Sequence, residues 1–310
     1  MQQTVSPGPV LITGSGGFVG RHVCAELAAS GAEIIRSKAR ITDRAAVRAL
    51  IGESQPACCL HLAAIAAIGV ARAEPDRAWE VNLHGTLNIA NAIRDLAPNC
   101  RLVFISSADI YGGSFRAGHA LDEQAPLAPL NTYAATKAAA DLALGAMAAE
   151  GLAVLRLRAF NHTGPGQSED FVIPAFARQI ARIEAGLAPP VIRVGALTPE
   201  RDFLDVRDVA RAYAAAITRA GTLPGDTILN IASGTPRRIG DILASLLALS
   251  KVEVSIEEDP ARLRPSDIPR AIGDAHLARQ LLDWQPRIAW QDTLADVLND
   301  WRARVRNEAV

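Results

Sequence analysis

Tyr133 and Lys137 stand four residues apart in the run Asn131-Thr132-Tyr133-Ala134-Ala135-Thr136-Lys137, which opens an alanine-rich segment predicted to be helical over 131–150. Residues at that spacing share one helix face, a turn apart. An ammonium beside a phenol favours the phenolate, so the spacing predicts a tyrosine with a lowered pKa, fit to give or take a proton. An ordinary surface pair would have the same spacing. Against that, the chain holds three lysines beside twenty-nine arginines, and three tyrosines, so few chance pairs are available. Such a pair does chemistry only where other elements bring a cofactor and a substrate to it.

The first such element is a glycine loop. Residues 9–13 predict a short buried strand, followed by Gly14-Ser15-Gly16-Gly17-Phe18-Val19-Gly20 and a helix that runs through Ala29 and stops at Gly31. In this context the first glycine permits the turn, the second lets a pyrophosphate approach the backbone, and the third lets helix and strand pack closely. The amides of Phe18, Val19 and Gly20 at the helix start then face the phosphates. Gly14, Gly17, Phe18, Val19 and Gly20 are therefore the expected dinucleotide cradle. The second strand ends Ile34-Ile35-Arg36-Ser37-Lys38 with no carboxylate for a ribose 2′-hydroxyl; Arg36, Ser37 and Lys38 suit a 2′-phosphate instead. Asp43, the nearest carboxylate, has the position of a helix cap. NADP(H) is the expected cofactor, with NAD(H) as the alternative.

Further buried strands are predicted at 32–35, 57–63, 101–106, 152–158 and 227–231, separated by helices at 43–51, 75–96, 131–150 and 206–220. Continuous rather than alternating apolar strands imply a parallel sheet covered on both faces, so the expected fold class is α/β, a doubly wound parallel sheet of the Rossmann type. The alternation breaks after about residue 162 and again after 232. The expectation is a dinucleotide-binding domain of residues 1–162, completed by 203–232, with 163–202 and 233–310 forming a smaller, discontinuous substrate lobe.

Composition excludes some partners. Over 310 residues the net charge is −1, which gives no electrostatic reason to expect nucleic acid or an anionic membrane. The longest small-apolar run, 57–71, contains His61 and is too short to span a bilayer. No secretory leader is apparent at the N-terminus. Cys24, Cys58, Cys59 and Cys100 lie in apolar contexts without metal-ligand spacing and are expected as buried free thiols of a cytoplasmic protein. No metal site is expected.

With the glycine loop, His61-Leu62-Ala63-Ala64, Asn82-x-x-Gly85-Thr86, Ser106-Ser107-Ala108-Asp109-Ile110-Tyr111-Gly112 and Tyr133-x-x-x-Lys137 in that order, the chain resembles the extended short-chain dehydrogenase/reductases, which modify nucleotide sugars. The resemblance covers nearly the whole chain. It implies Ser107, Tyr133 and Lys137 as a catalytic trio: Ser107 bonding the sugar oxygen, Tyr133 exchanging the proton, Lys137 holding the cofactor ribose. Ala63 and Asn82 would belong to the cofactor site. Within that family, the segments 158–167, 201–208 and 262–269 are similar to those of reductases acting on GDP-4-keto-6-deoxy-mannose. By that similarity Arg201 and Arg264 would grip the diphosphate, Asp267 the nucleotide ribose, and Asn161 the sugar-phosphate. Guanidinium forks match phosphate oxygens, although Arg201-Asp202 and Arg207-Asp208 could equally be surface ion pairs.

Two positions depart from the family pattern. Arg40 stands where an acidic residue usually neighbours the adenine. Asp109 stands where the related 4,6-dehydratases carry a catalytic glutamate, so Asp109 joins the catalytic candidates. The expected reaction is NADPH-dependent reduction of a GDP-4-keto-6-deoxy-hexose, giving GDP-rhamnose. The alternatives are a dehydratase or epimerase that retains its nicotinamide, and a non-catalytic NADP-binding regulator. The small residues around the Tyr133 helix (Ala138, Ala139, Ala143, Ala146) predict close helix approach, and the family resemblance implies a homodimer there.

Overall fold

In a computed structural model, which describes residues 8–262 and 268–308, the first apolar run becomes strand β1 (Val10–Thr13), buried at every residue. Helix α1 (Phe18–Ala29), β2 (Ile34–Arg36), α2 (Arg44–Ser54) and β3 (Cys58–His61) follow. Asp43 does cap α2, its carboxylate accepting the Ala46 N–H at 3.0 Å. The stretch 75–96 is helical throughout, as expected, and runs as α4 (Pro75–Trp79), a π segment (Glu80–Gly85) and α5 (Thr86–Leu96), after a short α3 (Ile68–Ala73). Next come β4 (Arg101–Ser107), a 3-10 segment (Ala108–Ala117), α6 (Thr132–Ala149), β5 (Val154–Ala159) and β6 (Asn161–Thr163). The remainder is α7 (Val172–Glu184), β7 (Val191–Val194), β8 (Glu200–Asp205), α8 (Val206–Arg219), β9 (Asp226–Ile231), β10 (Pro236–Arg238), α9 (Ile239–Ala248), β11 (Ser255–Glu258), β12 (Arg270–Ala271), α10 (His276–Leu282) and α11 (Trp290–Glu308).

Six strands form one parallel sheet in the order β2-β1-β3-β4-β5-β9. The chain steps outward from β1 to β2 and then back past β1 to β3, so a crevice opens beyond the carboxyl ends of β1 and β3, where doubly wound sheets bind ligands. Side chains alternate between two cores. Ile12, Cys58 and Leu60 pack with Val23 of α1 and Tyr213 of α8. Leu11, Cys59 and Phe104 pack on the other face with Ile51 of α2, Ile89 of α5 and Leu144 of α6. Adjacent Cys58 and Cys59 thus point to opposite faces, as strand geometry requires. All four cysteines are buried and free.

A third core, built from Ile173, Phe176, Ile192, Ile242, Leu298 and Trp301, lies among α7, β7, α9 and α11. Beside it β8 carries β10, β12 and β6, and β11 pairs with β7. Among the described residues no helix is long and apolar enough to cross a membrane, and no group of three or more His, Cys, Asp or Glu could hold a metal ion.

Candidate active site

The glycine loop closes β1 onto α1 through two backbone requirements. Gly14 has φ +71°, and a Cβ there would come within 2.8 Å of the Ala63 nitrogen. A Cβ on Gly20 would run into the Gly14 carbonyl, so α1 sits this close to the loop only with glycine at that position. No side chain caps the start of α1 at Gly17, which leaves its first amides to face an anion. A cavity of about 380 Å³ lies over this end, lined by Gly14, Gly17, Phe18, Val19 and Gly20 on one side and Ser107, Tyr133 and Lys137 on the other. The uncapped helix start and the glycine cradle fit a dinucleotide. Arg36 is exposed at the end of β2 and Ser37 follows it, the Ser37 N–H bonded to Ile12 of β1. Both therefore flank the glycine loop at one end of the crevice.

The far wall is set by α6. Asn131 caps it, accepting the Ala134 N–H at 2.9 Å, and so fixes Tyr133 in the first turn. The Tyr133 phenol faces Ser107, and both line this cavity. Ser107 ends β4, where its oxygen accepts the Asp109 N–H at 3.2 Å. Its neighbour Ser106 is turned to the other side of the strand, beside Asp141 but outside hydrogen-bond geometry. The structure thus brings Ser107, not Ser106, to the tyrosine.

Electrostatically the pair differs from the sequence expectation. Burial pushes the Tyr133 phenol up, the Asp109 carboxylate adds to that, and the nearby Ser107 opposes it. Lys137 does not lower it: its Nζ donates to the Ile105 carbonyl at 2.5 Å and lies 4.1 Å from the centre of the Phe104 ring. Burial lowers Lys137 itself to about 7, with Asp141 counteracting. The reason is solvation: both groups leave water together, and burial is the largest cause of each shift.

Asn82, expected in the cofactor site, is wholly buried behind the cavity wall. Its amide accepts the Ile65 N–H (2.8 Å) and donates to the Ile65 carbonyl (3.1 Å) and to Thr136 of α6 (3.0 Å). Beside Thr86 lies His61, a motif residue with no expected role of its own. The Thr86 hydroxyl gives its proton to the Asn82 carbonyl at 2.7 Å, so at its 3.0 Å contact with His61 Nε2 it must accept. His61 Nδ1 then accepts from Thr13 at 2.7 Å, and Thr13 in turn accepts the Ala63 N–H at 3.3 Å. Ala63 is part of this clasp beneath the loop. The thread runs from the glycine-loop strand to the Tyr133 helix.

A second cavity, of about 500 Å³, adjoins the first; Asp109, Asn161, Ile68, Asp170, Phe171, Val172 and Phe203 border both. It is rich in cations, with Arg72, Arg193, Arg201 and Arg262 on its walls. Arg201 donates to the Glu200 carbonyl at 2.8 Å; burial draws its pKa down while Asp109 opposes. Arg264 and Asp267 lie outside the described residues. Neither arginine-aspartate doublet pairs internally. Asp202 accepts the N–H groups of Ser233 and Gly234, while Arg207 pairs with Asp205 and Asp296. Arg72 and Arg193 belong to no sequence motif, and Arg262 only heads the segment 262–269; Arg193 interrupts an apolar strand, the one signal that could have marked it.

Residues 10–232 match the NAD dependent epimerase/dehydratase family. The chain is 34% identical over 304 residues to the GDP-6-deoxy-D-mannose reductase of Pseudomonas aeruginosa, covering 96% of this chain and 99% of that protein. It is 26% identical to a UDP-glucose 4-epimerase of Neisseria meningitidis serogroup C, over 94% of this chain and 96% of the relative. Among solved structures, RMD from Pseudomonas aeruginosa complexed with NADPH superposes with a TM-score of 0.87 at 32% identity, covering 96% and 99% of the two chains. The Thermus thermophilus UDP-glucose 4-epimerase complex with NAD gives 0.83 at 27% identity, covering 95% and 99%. The glycine cradle, the Ser107–Tyr133–Lys137 wall and this likeness along the whole chain agree: the protein belongs to the NAD-dependent epimerase/dehydratase family.

Proposed function

We propose that this protein is an NADPH-dependent reductase of the 4-keto group of a GDP-4-keto-6-deoxy-hexose, producing GDP-rhamnose. The observation that carries this reading is the 34% identity, end to end, with a GDP-6-deoxy-D-mannose reductase. Local chemistry supports it: the cavity beside the glycine loop continues into one walled by four arginines, which suits a dinucleotide beside a nucleoside diphosphate sugar. Arg201 and Asn161, with Arg264 and Asp267 in the segment beyond Arg262, hold the sugar nucleotide. Residues 163–202 and 233–310 form the substrate lobe, and 1–162 with 203–232 the cofactor domain.

The nicotinamide, when bound, supplies a hydride to the keto carbon. Ser107 holds the ketone oxygen, and Tyr133 gives it a proton as negative charge develops there. Lys137 supports that charge pattern from one turn below. Arg36 and Ser37 take the 2′-phosphate, since Asp43 is engaged as a helix cap, and NADP(H) is preferred over NAD(H). The enzyme is a cytoplasmic homodimer.

The test is consumption of NADPH by purified, nucleotide-stripped protein against a panel of 4-keto-6-deoxy nucleotide sugars, with the product identified. Stoichiometric NADPH oxidation with the GDP sugar is expected. The Asp109 carboxylate beside Tyr133 keeps a dehydratase or epimerase as the second reading. That activity would turn over on retained cofactor without consuming NADPH. A binding-only regulator would transform no sugar in the panel.

A further inference from the structure

Tyr213 sits in the third turn of α8, the helix that lies against α1. It is 0% exposed, and its hydroxyl has no hydrogen-bond partner among the described residues. The ring packs in the apolar core with Val23, Val209 and Ile231, a task phenylalanine would perform equally well. Yet Tyr213 also borders the cavity over the glycine loop, together with Gly17, Gly20, Tyr133, Asn161 and Thr163. Helical side chains lean toward the start of their helix, which for α8 is the end that follows β8, where the cavity lies. Burial and the nearby Tyr133 phenol both push the Tyr213 phenol up, so it remains a proton-bearing donor at neutral pH. A buried polar atom without a partner, at the edge of a ligand cavity, calls for a partner that arrives with the ligand.

The position within the cavity narrows the choice. The adenosine end of a dinucleotide belongs beside Arg36, across β1 at the edge strand of the sheet. The Tyr213 phenol instead lies near enough to the reacting Tyr133 for ionisation of one to disfavour that of the other, and it borders the cavity together with Asn161 and Thr163 of β6. We propose that the Tyr213 hydroxyl is a binding group for the nicotinamide half of the cofactor, bonding its carboxamide or its ribose. This rests on the reading of the cleft as a nicotinamide dinucleotide site. It adds a contact from α8, an element that carries none of the sequence motifs of that site.

Tyr213→Phe tests it, with binding measured by calorimetry for two probes, NADPH and 2′,5′-ADP, the latter lacking the nicotinamide half. The expected result is about tenfold weaker NADPH binding, the loss of one hydrogen bond, with 2′,5′-ADP affinity unchanged within twofold. The melting temperature of the ligand-free variant should equal or exceed the parent's, since an unpartnered hydroxyl has been removed, while NADPH should raise it by less than it raises the parent's. Tyr213→Met serves as a second variant should the first fold poorly, with the same pattern expected. Equal NADPH affinity in variant and parent would overturn the assignment and leave an ordered water as the hydroxyl's partner. Equal weakening toward both probes would overturn it too, by exposing a packing defect. If the parent itself fails to bind NADPH, the cofactor reading falls, and the assignment with it.

Discussion

The Tyr133 phenol lies in a buried wall with the Asp109 carboxylate nearby, and both push its pKa up. Lys137 is on the expected face, but in the folded chain it bonds the Ile105 carbonyl, and burial raises the phenol rather than lowering it. A phenol so raised stays protonated through the neutral range, the state a reductase needs in a proton donor. Tyr133→Phe should therefore lower kcat by about a hundredfold to ten-thousandfold while leaving NADPH affinity within a few-fold of the parent; unchanged turnover would remove Tyr133 from the proton step. Lys137, lowered to about 7, then becomes the group that titrates near neutrality. If its ammonium supports the developing charge, kcat/KM falls as pH rises through about 7, and Lys137→Arg, always charged, shows no such fall. The stability sign is opposite. Between about 7 and its unfolded value the unfolded chain binds the extra proton, so this residue lets stability rise with pH across that window. At the other end of the cleft, Arg36→Ala should cut the preference for NADPH over NADH by about ten- to a hundredfold, the worth of one charge-assisted hydrogen bond; an unaltered ratio would place the 2′-phosphate elsewhere.

At the scale of elements, what could be read from the sequence followed from periodicity and what could not followed from long-range pairing. Continuous apolar runs marked the sheet strands because those strands are buried on both faces, and Asp43 and Asn131 marked helix starts by the chemistry of their side chains. A π turn differs from an α turn by a single residue in the hydrogen-bond step, so the π segment at Glu80–Gly85 left no trace in the pattern, although Asn82, which bonds Ile65 and Thr136, lies within it. Two arginines in strand β5 are equally opaque in sequence: Asp141 of α6 meets both Arg156 and Arg158, with Asp226 completing the first and Tyr111 and the Glu123 carbonyl the second. His61 shows the same limit, since its partners Thr13 and Thr86 are 48 and 25 residues away. That clasp gives a prediction. Burial, with Lys137 adding, lowers His61 to about 3, below its unfolded value near 6.5. The stability it contributes is complete above that value and is lost as pH falls toward 3; by pH 5 the loss is about 2 kcal/mol. His61→Gln should remove that part of the acid sensitivity, seen as a shallower fall in melting temperature from pH 8 to 5 than the parent shows. Parallel curves would mean the histidine is not held neutral.

Across the whole molecule, the two cavities lie where separate cores meet, and the chain between them is tied to both sides. The Gly166 carbonyl accepts from Arg21 of α1, and its N–H bonds Asp300 of α11. Gln167, whose carbonyl takes Arg304 of α11, continues the strap. The opposite face of the sheet is covered by α2, α5 and α6. There α6 packs beside α3, α4 and α5 and leaves Leu142 60% exposed, with Trp79 of α4 and Val70 of α3 also exposed nearby in the fold. Small residues at Ala135, Ala139 and Ala146 flank Leu142 on the α6 surface, so another helix can approach α6 closely. Exposed large apolar groups gathered on adjoining helices are the kind of surface that two copies of a chain cover by symmetric contact. Because α6 carries Tyr133 and Lys137 in its first two turns, pairing along it would brace the helix that positions the reacting groups. Leu142→Glu should put two carboxylates at the centre of such a contact and turn the dimer into monomer. Size-exclusion chromatography with light scattering would read this as a halving of mass in the variant, accompanied by reduced turnover at low protein concentration. A parent that elutes as a monomer at every concentration would defeat the homodimer and leave Leu142 an ordinary exposed leucine.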